Sequence, residues 1–209
     1  MARATAVAAF AALVAVLGGL WWFILGREAG DPFGPCRTSQ VAGGTAAIGG
    51  PFELVSETGE TVTDAEVLDE PSLIYFGYTF CPDVCPTDAA RNAEAVELLA
   101  ERGFDVQPVF ITIDPERDTP EVLAEFTDYL HPDMLGLTGS AEQVRAASQA
   151  YRTYFAKREG DDPDYYLMDH SAFSYLVLPE HGFVEFFRGA QGLEAETLAD
   201  RAACFLERA

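Results

Sequence analysis

The chain has 209 residues, with 13 Lys and Arg against 34 Asp and Glu, for a formal net charge of -21 at pH 7. With 49% hydrophobic and 12% aromatic residues it can build one sizeable core, which excludes global disorder. A charge this negative also excludes sequence-independent nucleic-acid binding, which needs a basic patch to displace counterions.

The first element is Thr5 to Leu25, TAVAAFAALVAVLGGLWWFIL, which carries no charge. As a helix it is about 30 Å long, the thickness of a bilayer's hydrocarbon core. Trp21 and Trp22 near its end suit the membrane interface. Residues 1–28 therefore read as a membrane anchor built on a transmembrane helix. A cleaved signal peptide is the alternative, although no A-x-A site follows the apolar run. Either reading exports the rest of the chain to an oxidising compartment, where disulfides persist.

Residues 29–50, with the loose run VAGGTAAIGG, read as a linker, and residues 51–209 as the folded domain. Phe52–Val55 and Glu60–Thr63 flank Thr58-Gly59 and predict a hairpin. Ser72–Gly77 (SLIYFG) suits a buried strand. After the loop TFCPDVCPT, Ala89, Ala93, Val96 and Ala100 repeat on one helical face. Val106–Ile113 predicts the next strand, and Val122, Phe126 and Tyr129 repeat at helical spacing in the segment after Pro120. Met134–Thr138 is a weak strand. Val144, Ala147, Tyr151 and Tyr154 mark another helix. Strands over Phe173–Leu178 and Phe183–Arg188 are joined by PEHG, and a last helix begins near Glu194. Strands alternating with helices, then a closing hairpin and helix, predict a thioredoxin-like α/β fold with an N-terminal hairpin extension.

The four cysteines are of two kinds. Cys81 and Cys85 lie between an apolar strand and a helix, so their loop opens onto a helix N-terminus, where unpaired N–H groups lower thiol pKa values. A spacing of four lets both sulfurs face one way if the intervening segment makes a helical turn. Such a pair, read as reactive surface thiols, can cycle through a disulfide or hold a soft metal; a structural disulfide is the bland alternative. The spacing is C-x-x-x-C, not the C-x-x-C of redox thioredoxins. Soft Cu(I) favours thiolates, and imidazole suits both copper states, so two sulfurs invite a nitrogen ligand from the three histidines. His131 precedes Pro132 where a helix stops, and His181 occupies the PEHG turn. His170, just before an apolar strand of the same sheet, is the candidate ligand. Met168 is a further possible ligand, with a core role the stronger reading. Asp83 and Asp169 are candidate carboxylates supporting the ligands, against ordinary solvation in a loop.

Cys36 and Cys204 are expected to form a structural disulfide. Cys204 shares a helical face with Thr197, Asp200 and Arg201, and a free exposed thiol does not persist in an oxidising compartment. Two separate thiols, or intermolecular pairing, are the alternatives.

YFGYTFCPDVCPT, VFITIDPERDTPEVLAEF and YYLMDHSAFSYLVLPEHG together resemble the Sco/SenC family of copper-binding assembly proteins, over about residues 50 to 208. The resemblance implies copper, as Cu(I) or Cu(II), on Cys81, Cys85 and His170. It implies maturation of the dinuclear copper A centre of cytochrome c oxidase. The partners would be the oxidase subunit carrying that site, a copper donor, and the membrane through the N-terminal helix. The implied location is the bacterial inner membrane, single-pass, with the globular domain in the periplasm. Family members are described as delivering copper, reducing the client's cysteines, or both. A metallochaperone that is not an enzyme and a thiol-disulfide oxidoreductase therefore both stand, and the histidine, which copper needs and disulfide exchange does not, separates them.

Overall fold

The computed structural model describes residues 2–28, 31–39, 41, 43–158, 165–189 and 193–209, with the side chains of the first helix described over 10–23. It divides into two units, residues 1–35 and residues 36–209. The first unit holds α1 (Ala2–Glu28). The expected span of residues 5–25 falls in this helix, and residues 5–9 and 24–25 of it lie outside the described side chains. Among the described residues no helix is long and apolar enough to cross a membrane.

The second unit is built on β1 (Glu53–Ser56), β2 (Thr61–Thr63), α2 (Asp64–Val67), β3 (Ser72–Gly77), α3 (Val84–Glu101), β4 (Gln107–Thr112) and α4 (Pro120–Leu130). It continues through β5 (Leu135–Thr138), α5 (Ala141–Ala150), β6 (Phe155–Lys157), β7 (Met168–His170), β8 (Phe173–Leu178), β9 (Gly182–Arg188) and α6 (Ala195–Leu206). Seven strands form one sheet in the order β2-β1-β5-β4-β3-β8-β9. β3, β4 and β5 run parallel, as crossover helices require, and β8 runs antiparallel to β3. Every residue of β3 is buried, which explains its continuous apolar run. The β1–β2 hairpin turns at Gly59, whose φ of 84° suits glycine, and adds to the edge of the sheet through β5. α3 packs on α6, α4 on β5, and α5 against β1.

Local signals set the helix ends. Thr119 caps α4 ahead of Pro120, and Ser140 with Gln143 makes a capping box on α5. Two members of the expected helical repeats, Tyr129 and Tyr154, are exposed. α4 buries Leu123 and Thr127 and packs Phe126 and Leu130 on the core, which turns Tyr129 outward. α5 stops at Ala150, because Arg152 takes the left-handed conformation at φ 53°, and Tyr154 leaves the helix. β6 and β7 pair as a separate two-stranded ribbon that places Phe155 opposite His170. Three residues are too few to show a period of two, so the sequence pattern does not reveal it.

Much of the segment read as linker belongs to the second unit. A disulfide joins Cys36 to Cys204. Arg37 donates to the Val184 carbonyl, and the Thr38 and Ser39 N–H groups donate to the buried Glu185 carboxylate on β9. Val41 and Ile48 pack against the core. The carboxylate tolerates burial in an apolar strand because the strap supplies its hydrogen bonds.

Candidate metal centre

Antiparallel pairing of β3 with β8 brings the end of one strand beside the start of the other, with Tyr75 opposite Ser174. The loop leaving β3 carries Cys81 and leads into α3, while β7 delivers His170 just before β8. A buried network fixes the spacing of these three elements. Tyr75 on β3 donates to Asp88 on α3 at 3.2 Å, Asp88 pairs with Arg91 at 2.5 Å, and Arg91 and Asn92 bond Ser174 on β8. A second clamp holds the cysteine loop. Asp118, fully buried, accepts from the N–H and hydroxyl of Thr79 at 3.1 and 2.6 Å and from the Thr112 hydroxyl at 2.5 Å. Burial raises its pKa, and the donated hydrogen bonds oppose the rise.

The ligand-type atoms of Cys81, Cys85 and His170 all lie within 4.8 Å of one another. Both thiols are free, and both are buried rather than at the surface: Cys81 is 8% exposed and Cys85 0%. Cys81 lies before the helix, and its sulfur takes over the cap. The Asp83 side chain at the N-cap makes no capping bond, and the Cys85 N–H donates to Cys81 Sγ at 3.3 Å. The hydrogen bond from the Cys85 thiol, reinforced by the His170 ring and then by the Asp83 and Cys85 N–H groups against the cost of burial, lowers the Cys81 pKa to about 3. Its partner moves the other way: the bond to Cys81 and burial raise Cys85, so one proton stays on the deeper sulfur. The N–H groups at the helix start act in the direction that the loop's position predicts, but the side chains of Cys85 and His170 contribute more to the thiolate at Cys81.

His170 Nε2 stands 3.2 Å from Cys85 Sγ, and its Nδ1 lies 3.1 Å from the Ser171 carbonyl. A carbonyl only accepts, so Nδ1 carries the proton in the neutral ring and Nε2 turns its lone pair toward the sulfurs. Tyr75 and Tyr78 meet this ring edge-on, at 85° and 87°, and wall the site. Two thiols and an imidazole nitrogen are a donor set for a soft or borderline metal, and the two sulfurs are also placed for a disulfide.

The other expected residues are elsewhere. Asp83 is exposed and serves Cys81 through its backbone N–H, not its carboxylate. Asp169 points away from the ring and pairs with Arg158 at 2.7 Å across the β6–β7 ribbon, so the Ser171 carbonyl orients His170 in its place. Met168 packs against the core and donates its N–H to the Tyr78 hydroxyl. His131 ends α4 and accepts the Asp133 N–H on Nδ1. The residues that sequence reasoning missed are Asp118, Asp88 and Ser171. Asp118 sits in the DPERDTP tract, whose three acids around one arginine are the signal that marks it.

The SCO1/SenC family model matches residues 40–207. The protein SenC of Rhodobacter capsulatus is 51% identical over 205 residues, which cover 98% of this chain and 91% of that protein. The crystal structure of Arabidopsis thaliana ScoI with copper bound matches with a TM-score of 0.72 at 40% identity, over 77% of this chain and 99% of that one. Yeast Sco1 with copper bound matches with a TM-score of 0.72 at 37% identity, over 78% and 90%.

Proposed function

We propose that this chain, which belongs to the SCO1/SenC family, carries copper on Cys81, Cys85 and His170 and delivers it to the dinuclear copper A centre of cytochrome c oxidase. One observation carries the reading: three ligand atoms suited to copper lie within 4.8 Å of one another, with the imidazole held in the tautomer that presents Nε2. Solved relatives that match over most of the domain hold copper.

Two thiolates and one imidazole satisfy Cu(I), and the same set holds Cu(II) with an added oxygen donor. Cys81, already biased toward thiolate, is the sulfur nearer solvent, so copper from a donor protein meets it first. Taking up the ion displaces the proton from Cys85, and His170 completes the set. On delivery, an incoming thiolate or imidazole of the oxidase subunit binds copper before Cys81 lets go, so no free ion is released. The chain is a carrier in this reading and not an enzyme.

A second reading is favoured by the unequal thiols. The Cys81 thiolate attacks one sulfur of a client disulfide, and the other client sulfur leaves as a thiolate. Cys85 then loses its proton, attacks Cys81 Sγ and frees the reduced client, leaving the Cys81–Cys85 pair oxidised. An external dithiol must then reduce the pair. That bridge removes both sulfur ligands, so copper load and disulfide exclude each other. Replacing His170 by Ala separates the readings, because only copper binding needs the nitrogen.

Residues 1–28 act in this account as a single-pass anchor in the bacterial inner membrane, residues 29–50 lead from it into the domain and from Cys36 onward pack on that domain, and the domain binds copper in the periplasm. The charge-free stretch at residues 5–25 supports the anchor, and the Cys36–Cys204 disulfide supports an oxidising location.

A further inference from the structure

We infer that Phe80, set on Arg117, is the anchor by which the copper-receiving protein docks over Cys81; the inference rests on the carrier reading above and names how its partner is held. Phe80 directly precedes Cys81 and is 52% exposed. Its ring is not free to swing. The Arg117 guanidinium lies 4.6 Å from the ring centroid, and Arg117 is itself fixed by Asp114 at 2.5 Å, by the Tyr166 carbonyl at 3.0 Å and over the Tyr166 ring at 3.6 Å. An exposed aromatic held in place before contact loses little entropy on binding, which is the property of an interface anchor. Val84, 46% exposed, adds a second apolar point on the helix side of the sulfur.

The charges around this apolar centre say what fits it. Asp83 is exposed, while Glu116 and Asp169 are each paired with a neighbouring cation, so the charge left over beside the ring is negative. Arg117 pairs with Asp114, Lys157 lies 3.7 Å from Glu116 and over the Tyr166 ring, and Arg158 pairs with Asp169. A partner must therefore bring its own positive groups, arranged around an apolar hollow that receives a ring, with a thiolate or imidazole at the centre to take copper. A second copy of this chain does not fit, since each copy carries a net charge of -21 and would set its own exposed Asp83 against the other's.

The test uses the full chain in detergent and, as probe, the soluble copper A domain of oxidase subunit II in its reduced, metal-free form. Binding and copper transfer are followed for the wild type, Phe80→Ala and Phe80→Trp. Phe80→Ala should weaken binding about tenfold or more and slow transfer alike, with copper affinity unchanged by competition against a chromophoric chelator. Phe80→Trp, which restores a ring, should return both to within about threefold. Wild-type binding and transfer by Phe80→Ala overturn the inference while leaving the carrier reading intact, and so does an effect of that variant on self-association alone. No exchange with the wild-type chain overturns the carrier reading and the assigned partner together.

Discussion

His170 Nε2 and Cys85 Sγ lie 3.2 Å apart although 85 positions separate them in the chain. The contact depends on β8 running antiparallel to β3, and on Ser174, Asp88 and Arg91 holding α3 to β8. Whatever loosens that joint, or the loop that carries Cys81, should reach the metal without touching a ligand.

Asp118→Asn is the direct probe of the loop. It places an amide donor where Thr79 and Thr112 already donate, so a buried donor loses its acceptor. Unfolding should cost about 1–3 kcal/mol less than in the wild type, and copper affinity should fall as well, measured by chemical denaturation and chelator competition. A variant that loses stability and keeps full copper affinity would show that the clamp serves the fold alone.

The two sulfurs should titrate in opposite directions. An ordinary thiol ionises near about 8.5; Cys81, lowered to about 3, is already a thiolate at pH 6, while Cys85 is raised and keeps its proton. For Cys81 the sign follows: its stabilising contribution is fully present above the unfolded value near 8.5 and is lost as pH falls through about 3. Iodoacetamide should therefore label Cys81 at a rate that changes little between pH 6 and 8, with Cys85 spared in the folded protein. A rate rising about tenfold per pH unit over that range would mean that Cys81 is an ordinary thiol.

The outer disulfide should be structural only. Closing a loop of 168 positions contributes about 5 kcal/mol at most in the chain-entropy model. Cys204→Ser should lower unfolding stability by a part of that amount and release the strap from Glu185, while copper stoichiometry stays unchanged. Peptide mapping of non-reduced protein should recover Cys36 bonded to Cys204.

Removal of residues 1–28 should yield a soluble domain that binds copper like the full chain, with the full chain sedimenting with membranes. Full-length chain found in the soluble periplasmic fraction with its first residues intact would contradict the anchor.

The sequence pattern reveals the fold's frame well and its joints poorly. The mostly apolar run SLIYFG and the capped starts of α4 and α5 are local signals, and the structure has strands and helices there. The metal-type residues are legible too, because C-x-x-x-C and D-H-S are rare enough to stand out among only four cysteines and three histidines. What supports them is not. Asp118 meets Thr79 across 39 positions, and Ser171 serves His170 through its backbone carbonyl, which no side-chain pattern can announce. Asp169, the neighbour that chemistry suggests, faces Arg158 because alternate residues of a strand point to opposite sides. The β6–β7 ribbon depends on long-range pairing that three residues cannot encode locally.

Copper titration of the reduced chain and of His170→Ala tests the central claim most directly. The wild type should bind one copper ion per chain. The variant should lose most of its Cu(II) affinity and part of its Cu(I) affinity, while still exchanging disulfides at close to the wild-type rate. Unchanged copper affinity in His170→Ala would remove the histidine from the site and contradict the account.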